Sequence, residues 1–129
     1  MPLKSQLNVM VVDDMTISRA LMEQALDSIG ISKVQYEANG ELAYRKLVAA
    51  PVHLVISDHN MPGMDGVELL EALRQNKATR NIGFILVTGS ATRELILRGQ
   101  QAGMNNFIAK PFSREQLLSC IEAVTGKLQ

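Results

Sequence analysis

The chain has a single cysteine, Cys120, so it cannot form an internal disulfide. Thirteen basic residues balance thirteen acidic ones, which leaves none of the basic excess of a dedicated nucleic-acid binder. No apolar run approaches the ~20 residues of a membrane span, and no stretch reads as a signal peptide. Repeats, low-complexity segments and linkers are also missing. These absences point to a soluble, cytoplasmic protein with neither a nucleic-acid nor a membrane partner, expected as a monomer. What remains is 129 residues, 47% of them hydrophobic. That fits one domain over 1–129, with a core at about 8–126 and no output domain.

Apolar runs and helical spacings alternate along the chain. Residues 1–7 read as a tail. Asn8 to Val12 is a continuous apolar run, as a strand buried on both faces would be. Ile17, Leu21, Ala25 and Ile29 then recur at helical spacing, and Gly30 is placed to stop that helix. Lys33 to Ala38 is a second strand, and Glu41 to Ala50 a helix stopped by Pro51. The run Leu54-Val55-Ile56 ends in Ser57 and Asp58. After the turn Met61-Pro62-Gly63-Met64, Asp65 and Glu68 form a capping-box pattern. It opens a helix to about Asn76, with Val67, Leu70 and Leu73 on one side. A fourth strand, Ile82 to Val87, ends in Thr88. The helix after it, Thr92 to Gln101, contains Gly99, which disfavours it by roughly 1 kcal/mol. Met104 to Ala109 is a fifth strand. Ser113 and Gln116 cap a last helix with Leu117, Ile121 and Val124 buried.

Five strands alternating with five helices predict a doubly wound parallel sheet with helices on both faces. The flavodoxin-like (βα)5 arrangement, strand order 2-1-3-4-5, is the common solution at this size. In such a sheet all C-terminal strand ends lie along one rim. Four of the five strands deliver a polar residue there: Asp13-Asp14, Asp58, Thr88 and Lys110. Three carboxylates repel one another, and one lysine cannot neutralise them. A hard divalent cation such as Mg²⁺ can, and Mg²⁺ commonly bridges to phosphate. Carboxylates also act as nucleophiles toward phosphoryl groups. Thr88 and Lys110 suit the developing phosphoryl charge. The pattern therefore reads as a site for Mg²⁺-assisted phosphorylation of Asp58, which is central and apart from the acidic pair.

VVDD at 11–14, SDHNMPGMDG at 57–66, VTG at 87–89 and FIAKPF at 107–112 together resemble the receiver domain of bacterial two-component response regulators. The resemblance runs over nearly the whole chain. It implies that Asp58 is the phosphoacceptor, that Asp13, Asp14, Asp58 and the backbone carbonyl of Asn60 hold Mg²⁺, and that Thr88 and Lys110 hold phosphoryl oxygens. It further implies a cis Lys110–Pro111 bond and a switch coupling Thr88 to Phe107. Tyrosine is usual at that aromatic position in chemotaxis receivers, so here the packing half of the switch is retained without the hydroxyl. Gly89, smaller than the alanine often found there, leaves the site more open. With no output domain, the chain resembles stand-alone receivers of the CheY type. Their phosphoryl donor is the histidine kinase CheA, and their target is the flagellar motor switch protein FliM. The partner surface would be the face of the fourth helix, fifth strand and fifth helix.

Blander readings stand beside these. Asp13 and Asp14 could cap the first helix, Thr88 could close a strand, and Asn60 could be a turn residue. His59 is expected to affect access to Asp58 rather than to carry phosphate. His53 reads as structural or exposed, and Cys120 as a small apolar residue. Two other functions stay open: a phosphate sink or phosphorelay intermediate without motor binding, and a small Mg²⁺-dependent phosphohydrolase. Beyond self-phosphorylation and slow autodephosphorylation, no enzymatic activity is expected.

Overall fold

In the computed structural model, which describes residues 3–129, five parallel strands form one sheet in the order β2-β1-β3-β4-β5. The strands are β1 (Asn8–Val12), β2 (Lys33–Glu37), β3 (Leu54–Asp58), β4 (Gly83–Thr88) and β5 (Asn106–Ala109). The helices are α1 (Thr16–Ile29), α2 (Gly40–Ala49), α3 (Gly66–Gln75), α4 (Arg93–Ala102) and α5 (Arg114–Thr125). Strand order and element sequence are those expected for a doubly wound sheet. The central strand β3 is buried at all five positions, because helices cover both of its faces.

Alternation along the strands divides the core into two layers. Val9, Val11, Leu54, Ile56, Ile85 and Val87 point to one face, where α1 and α5 bring Met22, Leu26, Ile29, Leu117 and Ile121. Met10, Val12, Val55, Phe84 and Leu86 point to the other, against residues of α2, α3 and α4 such as Leu47, Leu70 and Leu95. Among the described residues no helix is long and apolar enough to cross a membrane.

Two expectations need correction, and one helix buries a face other than its apolar spacing suggests. The stripe Ile17-Leu21-Ala25-Ile29 is not the face of α1 that meets the sheet: Ile17 is 75% exposed and Leu21 60%. The inward stripe runs through Met22, Leu26 and Ile29, and one turn before Met22 it holds Ser18. A hydroxyl at its start hid that stripe from a reading of apolar spacing. The fifth strand begins at Asn106 rather than Met104. Met104 closes α4 instead, its N–H reaching Gly99 O. A Cβ at Gly99 would fall 2.4 Å from Met104 Sδ, so this approach accounts for the glycine inside the helix. Finally, the core extends past 8–126. Leu7 and Leu128 are both buried, and Lys4 N–H donates to Gln129 O at 3.0 Å. Of the expected tail, residues 1 and 2 lie outside the described residues.

The sheet's N-terminal edge is held by Arg74 at the end of α3. Its guanidinium donates to Gly103 O from Nε and Nη2, to Arg80 O and Ile82 O from Nη1, and to Asn105 Oδ1 from Nη2. Asn105 Oδ1 also accepts from Phe84 N–H at 2.8 Å, so one cation ties α3, α4 and β4 together. Burial holds the Arg74 pKa below the usual arginine value. We expect Arg74→Ala to lower the unfolding free energy by about 2–4 kcal/mol, since several charge-assisted bonds are lost at once. Arg74→Lys should recover less than half, because an ammonium lacks the planar fork. Urea unfolding measures both, and a loss under about 0.5 kcal/mol, the range of ordinary surface changes, would contradict this role.

Candidate active site at the C-terminal rim of the sheet

The chain leaves β1 on one side toward α1 and leaves β3 on the other toward α3. The crevice between these strand ends is where open α/β sheets bind ligands. Asp13 follows the last residue of β1, its N–H bound to Glu37 O at 2.9 Å. Its Oδ1 accepts from Met15 N–H at 3.0 Å, which turns the chain into α1. Arg19, one turn into α1, donates to Asp13 O at 2.7 Å. Asp58 is the last residue of β3. Register places Val12 opposite Ser57 and Asp58 opposite Val87, so the strand ends are level.

The turn after Asp58 is fixed by close packing. A Cβ at Gly66 would lie 2.6 Å from Asp58 O and 2.9 Å from His59 Cα, so only glycine lets α3 start this close to β3. Asp65 and Glu68 form the expected capping box. Ser113 and Gln116 form the other, at the start of α5.

Asp13 is 5% exposed and Asp58 6%, whereas Asp14 is exposed. One carboxylate oxygen from each lies within 4.8 Å of the others. Lys110 Nζ is 3.3 Å from Asp58 Oδ1 and 3.6 Å from Asp13 Oδ2. It also donates to Ser18 Oγ at 2.9 Å. The Lys110–Pro111 bond is cis, as the resemblance implied. Thr88 is buried at the end of β4; its Oγ1 accepts from Ser90 N–H, and its carbonyl accepts from Lys110 N–H at 2.8 Å.

The geometry thus brings together Asp13, Asp14, Asp58 and Lys110, with Thr88 on the next strand. Asn60 is exposed two residues beyond Asp58 and lines a cleft of about 330 Å³ with His59, Thr88 and Arg98. Phe107 is half-buried on β5, two residues before Ala109, the register partner of Thr88. Nothing within 4 Å would meet a Cβ at Gly89, so that loop is open. His59 is largely buried, its Nδ1 without a hydrogen-bond partner and 4.0 Å from Asp65 Oδ1. His53 accepts Asn8 N–H on Nδ1 at the opposite end of the sheet. Cys120 is buried and its thiol pushed up to about 11 by burial, which makes it inert.

Ser18 and Arg19 are the site residues that sequence reasoning missed. Ser18 had one available signal: it is the polar residue that opens an otherwise inward helical stripe.

Burial raises the Asp58 pKa above the ordinary aspartate value; Lys110 opposes the shift and Asp13 adds to it. The donor set consists of hard carboxylate oxygens carrying more negative charge than one ammonium offsets. That composition fits Mg²⁺.

An acidic cluster and one lysine at the switch point of a flavodoxin-like α/β sheet define the class: a receiver-like scaffold whose rim composition suits a divalent cation. The chain belongs to the response regulator receiver domain family, whose model matches residues 9–122. It is 40% identical over 129 residues to a probable chemotaxis protein CheY of Rhizobium etli, covering all of both chains. It is 29% identical to the chemotaxis protein CheY-3 of Vibrio cholerae, covering 98% of this chain and 97% of that one. Among solved structures, Vibrio cholerae CheY4 superposes with a TM-score of 0.85 at 29% identity, covering 93% of this chain and 99% of that one. The receiver domain of a Pseudomonas aeruginosa sensor histidine kinase, solved with a magnesium ion in its active-site cleft, gives 0.85 at 26% identity, covering 94% and 98%.

A raised folded-state pKa means that the folded protein holds the Asp58 proton more tightly than the unfolded chain. The stability this gives is present at low pH and lost as pH rises through the folded pKa. Asp58→Asn is therefore expected to raise the Tm of the metal-free protein at about pH 7.5, with a gain that shrinks toward about pH 4. Thermal scans across that range check it; a variant less stable than wild type at neutral pH would refute the assignment of burial as the leading cause.

Proposed function

We propose that this chain is a receiver that takes a phosphoryl group onto Asp58 from a histidine kinase and signals through a phosphorylation-dependent protein contact in chemotaxis. The observation that carries this reading is the placement of Lys110 Nζ 3.3 Å from Asp58 Oδ1, within a cluster of three carboxylates. An Asp58 oxygen forms the new O–P bond. The donor's P–N bond breaks, and its electron pair stays with the donor imidazole. Mg²⁺ held by Asp13, Asp14, Asp58 and the Asn60 carbonyl would supply positive charge to the phosphoryl oxygens. Lys110 gives up its contact with the Asp58 carboxylate to meet a phosphoryl oxygen. The Thr88 hydroxyl, now serving Ser90 N–H, turns to another.

Phosphorylation replaces the single carboxylate charge of Asp58 with a group carrying ~1.5–2 negative charges, a net gain of up to about one charge at the rim. As the Thr88 hydroxyl is drawn inward, the half-buried Phe107 ring follows into the space it leaves. The face of α4, β5 and α5 thereby changes shape for a target. The donor is a CheA-like kinase and the target a FliM-like motor switch protein, with the exchange taking place in the cytoplasm. The kinship with CheY proteins supports this choice of partners.

The test is transfer of labelled phosphoryl from a phosphorylated chemotaxis kinase, followed by binding to a motor switch peptide. Wild type with Mg²⁺ should take up label and bind the peptide more tightly; Asp58→Asn, or wild type with excess EDTA, should take up none. Label without tighter peptide binding would move the assignment to a phosphate sink or relay intermediate. Equal label on Asp58→Asn would overturn Asp58 as acceptor.

A further inference from the structure

We propose that Ser18 is a positioning residue for phosphoryl transfer: from the first turn of α1 it holds the Lys110 ammonium in place beside Asp58. This rests on the reading of Asp58 as the acceptor. Lys110 Nζ donates to Ser18 Oγ at 2.9 Å, shorter than its approach to Asp58 Oδ1 at 3.3 Å or Asp13 Oδ2 at 3.6 Å. A lysine ammonium has three donors on a flexible four-carbon stem. Here Ser18 directs one donor, while the two carboxylates compete for the others.

The stem is only partly enclosed. The Lys110 side chain is 28% exposed. It borders an open groove of about 470 Å³, shared with Ser18, Met22, Ala25, Pro111 and Phe112. Ser18, in contrast, is rigid. It is the third residue of α1, and Met22 and Leu26 on the same inward stripe are locked into the core. The bond spans 92 residues of sequence, so it couples the start of α1 to the end of β5. Without it, the ammonium is held by the Asp13 and Asp58 carboxylates alone, and nothing sets which way its remaining donor points. With it, the charge stands to one side of the carboxylates, ready to meet a phosphoryl oxygen. Ser18 makes no bond to phosphorus and transfers no proton; it acts through Lys110.

The decisive experiment combines kinetics with a direct view of the ammonium. Rates of Asp58 phosphorylation by acetyl phosphate with saturating Mg²⁺ are compared for wild type, Ser18→Ala, Ser18→Thr, Lys110→Ala and the Ser18→Ala/Lys110→Ala pair. Ser18→Ala should slow phosphorylation about three- to tenfold, a fraction of what one charge-assisted hydrogen bond contributes. Mg²⁺ affinity should stay within about twofold, because Ser18 touches no carboxylate. Ser18→Thr keeps the hydroxyl and should restore most of the rate. In the Lys110→Ala background the serine change should have no further effect, since its partner is gone.

The Lys110 ammonium signal in ¹H–¹⁵N spectra should be resolved in wild type and Ser18→Thr and exchange-broadened in Ser18→Ala. An equal slowing by Ser18→Ala with and without Lys110 would overturn the proposal. So would an ammonium signal that Ser18→Ala leaves unchanged, or one undetectable in wild type. The spectra need no phosphorylation, so they decide the role of Ser18 even if label remained on Asp58→Asn and the acceptor assignment failed.

Discussion

The structure depends on a charge arrangement that cannot be satisfied by the protein alone. Asp13 and Asp58 are carboxylates buried at the ends of adjacent strands, and Asp14 stands beside them. One lysine reaches across from the far side of the sheet to meet the buried pair. Burying like charges is costly unless they are paired. The fold tolerates this because the hydrogen-bonded register of the sheet holds the strand ends at one rim and because that rim is open to water. The same imbalance leaves a cluster of hard oxygen donors whose composition fits Mg²⁺.

Local packing converts that rim into a device with defined parts. Gly66 lets α3 begin against the Asp58 carbonyl, so Asp58 sits on a closely packed backbone. Thr88 and Lys110 are linked through the Thr88 carbonyl, and Lys110 is linked to α1 through Ser18. The Asp58 carboxylate is thus connected to α1 through Lys110 and Ser18, while the Thr88 hydroxyl holds the β4–α4 loop at Ser90 N–H. Arg74 anchors the opposite end of α4, where Gly103 caps it. The end of α4 near Thr88 has no such anchor, its side-chain cap being the Thr92 hydroxyl on Leu95 N–H.

Most of this was legible in the sequence because strand and helix periods differ and because polar residues ended four apolar runs. Asp13, Asp14, Asp58, Thr88 and Lys110 could be brought to one rim from the parallel pattern alone. The capping boxes at Asp65 and Ser113 marked helix starts to the residue. What escaped were features that depend on which neighbour a side chain meets. Ile17 and Leu21 have the spacing of a core stripe, yet the sheet selects the stripe of Met22 and Leu26, offset by one residue. Ser18 lay on that stripe and looked like an ordinary helix serine until the last loop of the chain brought Lys110 over it. Asn105 looked like a strand residue, but its side chain takes over a ladder bond from Phe84 N–H. Such long-range pairings leave no periodic trace.

The central claim is that the buried carboxylate of Asp58 becomes the acyl phosphate. The most direct measurement is borohydride trapping of the phosphorylated protein followed by peptide mass mapping, since reduction converts a phosphorylated aspartate to homoserine. Homoserine is expected at position 58, dependent on Mg²⁺, with Asp13 and Asp14 intact. Homoserine at 13 or 14, or a phosphoryl group recovered on His59, would contradict it.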